Sequence, residues 1–155
     1  MIVIDLPWPP KELSPNARVH RMARARVART YRQDCGWATV EALGGIHRCP
    51  RLTGSDLELI AEFRMPDKRW RDADNLLASI KPGIDGVCDV TGINDRDFRR
   101  VIVERVADGR GIVRLTIRES NGEVRGASPQ GEASSAEGAT STVVLEGDGR
   151  NGEIA

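Results

Sequence analysis

The stretch from residue 56 to 87, DLELIAEFRMPDKRWRDADNLLASIKPGIDGV, constrains this chain more than any other. Its first part alternates, with Leu57, Leu59, Ala61 and Phe63 sharing one side, which is the pattern of a strand with one buried face. A run of arginines then delivers Asp72 and Asp74 onto an apolar segment. That segment reads as a helix beginning near Asp74 and disturbed at Pro82-Gly83, where proline removes an amide donor.

The flanking sequence supplies the remaining elements. IVIDLP (2–7) predicts a first strand, ended by Pro7, Pro9 and Pro10. A basic connection follows, then a helix from about Val27 to Leu43, stopped by Gly44-Gly45. RRVIVERVAD and GIVRLTIRE, separated by glycines, predict an antiparallel hairpin. The sum is an α+β fold: a small mixed sheet of about four strands packed with two main helices, spanning residues 1–118. From residue 119 to 155 the chain is rich in Gly, Ser, Ala and Glu without an apolar period, so a disordered acidic tail is expected. Within it, VVLEGDG is either a short strand or a docking segment.

Net charge is zero, yet unevenly placed. Residues 119–155 hold seven carboxylates against two arginines, a balance of −5, which leaves +5 on the rest. A basic body with an acidic tail suits a polyanionic partner. No apolar run is long enough to cross a bilayer, and the N-terminus lacks a basic region followed by a long apolar one, so a cytoplasmic protein is expected. Cys35, Cys49 and Cys88 make no even disulfide framework. With His47 they number four zinc ligands, but the spacing fits no compact zinc site and predicts free thiols instead.

Asp72 and Asp74 lie two apart, and on extended chain both carboxylates leave one face, about 7 Å apart. Magnesium takes one or two carboxylates together with phosphate oxygens and water, and Arg69 and Arg71 would attract such phosphates. GINDRDFRR offers a third acid, Asp95 or Asp97, before the next strand; pairing of that strand with the second would carry it toward Asp72. Three converging acids would raise at least one pKa. The rival reading makes Asp-x-Asp-Asn a helix cap only. Arg18, Arg21, Arg29 and Arg32 fall in one helical stripe, with Arg24 and Arg26 in the same run, suited to phosphates or simply to solvent. Of Trp8, Trp37 and Trp70, only Trp70 stands amid arginines, where it could stack on a base.

LPWPP, MPDKRWRDADNLLASIKPGIDGV and GINDRDFRRVIVERV, taken together, resemble the RusA-type Holliday junction resolvases, over residues 2–118. The resemblance implies a homodimeric endodeoxyribonuclease of recombination and repair, common in phages and prophages. Such an enzyme uses magnesium, or manganese in its place, to nick four-way DNA junctions symmetrically and leave 5′-phosphate ends. It implies Asp72, Asp74 and Asp95 as metal-holding catalytic acids, Asp97 being the runner-up for the third. It favours DNA contact for Arg18, Arg21, Arg24, Arg29, Arg69 and Arg71. The family's lysine four residues after the second aspartate is Ala78 here. Lys81, seven after Asp74 and on the same helix face, takes that role, since KPGID repeats the family's lysine-to-aspartate spacing. Rival expectations are a non-catalytic DNA-binding module and a nuclease for other branched DNA.

Overall fold

The computed structural model describes residues 1–45, 56–120 and 143–146. The fold is α+β: β1 (Ile2–Pro7), α1 (Arg21–Ala42), β2 (Leu57–Arg64), α2 (Ala73–Thr91), β3 (Phe98–Val106), β4 (Ile112–Glu119) and a short β5 (Val143–Glu146). One sheet holds the strands in the order β1-β4-β2-β3-β5. Only β2 and β3 are parallel; the other pairs are antiparallel.

Alternation builds the core. Ile2, Ile4 and Leu6 of β1, Leu57, Leu59, Ala61 and Phe63 of β2, and Val113, Leu115 and Ile117 of β4 are buried together. Tyr31 and Cys35 of α1 and Leu76, Ile80, Ile84 and Val87 of α2 close over them. The Tyr31 hydroxyl donates to the Pro7 carbonyl at 2.7 Å, fastening α1 to the end of β1. The opposite sheet face carries charge, as where buried Glu58 meets Arg118 at 2.5 Å and Arg100 at 3.4 Å.

The two helices meet at glycines. A Cβ on Gly86 would lie 2.2 Å from the Arg32 carbonyl oxygen, so only glycine lets the backbones approach this closely. Gly83 faces Cys35 and Tyr31 in the same seam.

The structure corrects three local expectations. α1 starts at Arg21, six residues before Val27, because extended His20 caps it and accepts the Met22 amide at 3.3 Å. α2 runs through Pro82 without a break. The carbonyl that loses its partner there belongs to Ala78, which is exposed, while buried Ile80, Gly83 and Ile84 hold both flanks. β3 and β4 are no hairpin, since β2 lies between them. Their connection crosses the end of β2, where the Gly109 amide bonds to the Met65 carbonyl and the Gly111 amide to the Arg64 carbonyl, both at 3.0 Å. Gly109 and Gly111 have φ of 77° and 65°, a conformation side chains resist.

The disorder expected of the tail concerns residues that lie largely outside those described. Val143–Glu146 are described, and they form β5 on the outer edge of β3, with Val101 opposite Leu145. Of the thiols, Cys35 is buried and Cys88 half-buried, both free; burial pushes Cys35 up to about 12 and Cys88 up to about 11. Cys49 and His47 lie outside the described residues. Among the described residues, no helix is long and apolar enough to cross a membrane.

Candidate active site

The parallel pairing of β2 and β3 organises the site. Leu57 stands beside Phe98 and Arg64 beside Val106, so residue 72 follows the end of β2 at which β3 also finishes. Helix α2 then runs back along the sheet, and residue 95 precedes the start of β3. The pairing expected from sequence is present, but being parallel it sends Asp95 toward the end opposite Asp72.

Asp72 is the N-cap residue of α2, with extended φ and ψ of −69° and 143°. Its carboxylate makes no capping hydrogen bond to the helix amides and instead accepts Asn75 Nδ2 at 3.3 Å. The position is that of a cap, yet the carboxylate is not spent on the helix amides, which argues against the cap-only reading. Asp74, in the first turn, is exposed and forms no ion pair among the described residues. Both acids stand at the positive end of the helix, a favourable place for anions.

A cleft of about 750 Å³ opens between residues 8–19 and the head of α2. Asp72, Asn75 and Ser79 line one wall; Lys11, Asn16 and Arg18 line the other. Asp74 is not in that wall. Offsets of four, three and four residues place Asp74, Ala78, Lys81 and Asp85 on a neighbouring stripe of α2. There the Lys81 ammonium reaches both Asp85 and Asp95 at 3.1 Å. Burial lowers the Lys81 pKa, but the bonds to Asp95 and Asp85 outweigh it and the net shift is upward. Asp95 is held below the ordinary carboxylate value by its hydrogen bond from Lys81. A raised pKa was expected of converging acids; the shift is downward because a cation, not a second carboxylate, is the neighbour.

Asp97 has a different task. It accepts the Asn94 amide at 3.1 Å in a capping box of the short 3-10 turn 95–97, so its carboxylate serves the backbone. Among the described residues, no three carboxylate, imidazole or thiolate groups stand close enough to hold a metal ion between them. Asp72, Asp74 and Asp95 are thus not gathered into one cluster.

The arginines divide by environment. Arg18 is exposed on the cleft wall, and Arg21 is exposed at the start of α1. Arg24 donates to the Leu13 carbonyl at 3.0 Å and ties the chain before α1 to the helix. Arg29 lines a different groove, beside exposed Trp37, and Arg32 is forked onto Asp89 at 2.6 and 2.7 Å. The stripe therefore does not follow one path. Arg69 is exposed, its amide bonded to Asp67. Arg71 grips Asp67 with both terminal nitrogens, at 2.7 and 2.9 Å, and lies over the Trp8 ring. That fork and the Arg69 amide hold the Asp67 carboxyl down at about 2.

Three groups here escaped the sequence reading. Lys11 faces the cleft directly after the proline run. Asp67 restrains Arg71. Arg105 is buried beneath Trp70, whose ring centroid is 4.0 Å from its guanidinium carbon. A signal for Arg105 existed, since the alternation Val101, Val103 puts residue 105 on the core face of β3.

No family model matches the chain. It is similar to an uncharacterized protein of Xylella fastidiosa, 41% identical over 96 residues, which cover 61% of this chain and 61% of that protein. The chain thus spans about six-tenths of the length of that relative.

Proposed function

We propose that this chain is a magnesium-dependent endodeoxyribonuclease of the RusA type that nicks branched DNA, four-way junctions foremost, working as a homodimer in the cytoplasm. The observation that carries the reading is Asp72. It occupies a helix cap, its side chain makes no bond to the helix amides, and its carboxylate lines a cleft bordered by Lys11 and Arg18.

The donor chemistry at the head of α2 fits magnesium. Asp72 and Asp74 are hard oxygen donors on exposed positions, and neither is neutralised by a cation among the described residues. Two carboxylates, with phosphate oxygens and water for the rest, are the ion's usual company. Asp72 and Asp74 would hold it; Asp95, toward the opposite end of the sheet and paired with Lys81, stands outside that pair. When bound, the ion supplies charge for the scissile phosphate and a more acidic water.

The chain's own groups do the remaining work. Lys11 and Arg18 attract the phosphate backbone to the cleft, and the positive end of α2 favours an anion beside it. Lys81, fixed between Asp85 and Asp95, is a preset positive charge on the stripe of Asp74; fixed charge is most effective where negative charge develops. Two equivalent strands of a junction are served by two sites related by a two-fold axis.

Cleavage assays on a four-way junction, a flap and a linear duplex, with and without magnesium, test this. Paired nicks in the junction with magnesium are expected. Cutting of flaps in preference to junctions would shift the substrate class. One observation favours a second reading, a non-catalytic DNA-binding module: the three acids are not gathered, and Asp95 is paired to Lys81. Binding without cutting under every metal condition would select it.

A further inference from the structure

We infer that Arg105 is a positioning residue that clamps the backbone leading into Asp72; the inference rests on the nuclease reading for its catalytic consequence. Arg105 occupies a core position. It follows Val101 and Val103 on the inner face of β3 and stands opposite Phe63 of β2, yet it is a charged residue only 8% exposed. Among the described residues it pairs with no carboxylate, and its Nε is buried without a hydrogen-bond partner. Burying a guanidinium without a counter-anion is costly, and an aliphatic side chain would fill this position without that cost.

What the arginine adds is reach. Nη1 donates to the carbonyl oxygen of Arg71 at 2.8 Å, and the guanidinium carbon lies 4.0 Å from the centre of the Trp70 ring. Those two residues immediately precede Asp72. The Arg71 side chain is in turn held by Asp67 and lies over Trp8, whose ring meets Phe63 edge-on at 5.9 Å. Each restraint ends on residue 70 or 71, and each is anchored in the sheet or in the turn at 67. Segment 67–71 has exposed side chains apart from half-buried Arg71, so it has little apolar burial of its own to hold it still. Arg105 supplies a hold from below, at the peptide group next to the acid.

Hydrogen exchange and steady-state kinetics on Arg105→Met and Arg105→Lys, in the full chain, test this. Faster exchange confined to residues 66–75 is expected for Arg105→Met, with kcat for junction cutting lower on the order of a hundredfold and junction affinity unchanged, since small displacements of reacting groups carry such penalties. Arg105→Lys should recover part of kcat. Wild-type exchange in 66–75, or a loss of affinity with kcat intact, overturns the inference. If Arg105→Met does not fold, Arg105→Lys decides it by the same local exchange. If the wild-type chain cuts no branched DNA while residues 66–75 loosen in the variant, the nuclease reading fails and the clamp is supported.

Discussion

The Lys81 ammonium stands 3.1 Å from Asp95 Oδ2, a contact that joins the middle of α2 to the turn before β3. It brings together the two candidate residues whose roles were least defined in the sequence. It also gives the candidate site a charge pair whose behaviour with pH can be worked out.

Asp95 is lowered from its ordinary value of 3.8, by Lys81. A carboxyl lowered in the folded state contributes stability above its unfolded pKa and loses it as pH falls through the folded one. Lys81 is raised from 10.5, so its contribution is present below that value and is lost as pH rises through the folded one. The difference in melting temperature between wild type and Lys81→Met should therefore be level from about pH 5 to about pH 9, between the two ordinary values, and shrink below about pH 4. A difference that grows in acid would exclude the pairing.

Asp72→Asn keeps the shape of the N-cap, and asparagine is a good cap, so folding should be unharmed. Magnesium-dependent nicking should fall on the order of a hundredfold or more, while junction binding in the absence of metal stays. Gel-shift and cleavage assays on the same preparation measure both.

Arg18→Ala should weaken duplex and junction binding alike and lower the slope of log affinity against log salt by about one. Arg71→Ala should change that slope less, since Arg71 is already forked onto Asp67. Salt titrations of binding give the two slopes.

Gly86→Ala must push α2 away from the Arg32 carbonyl, now 2.2 Å from the new Cβ, and should cost about 1–3 kcal/mol. Gly36→Ala, whose Cβ would find its nearest neighbours at 3.6 Å, should be neutral or stabilising by about 0.5–1 kcal/mol through helix propensity. Urea denaturation of both variants separates close helix contact from propensity.

Period-two alternation was enough to assign the buried face of β2, Leu57, Leu59, Ala61 and Phe63, because side-chain direction along a strand is a local property. The helix that begins beside Asp72 was legible for the same reason. Strand order was not: alternation tells which residues face the core and says nothing about which edges bond. β2 therefore took β3 on one side and β4 on the other, where adjacent sequence had suggested a hairpin. That choice makes β2 and β3 parallel, carries residue 95 away from residue 72, and leaves Asp95 to Lys81. It also sets Arg105 beside Phe63 and under Trp70, a neighbourhood built from three separate stretches of chain. Contacts of that kind depend on how elements pack, and no local pattern encodes them.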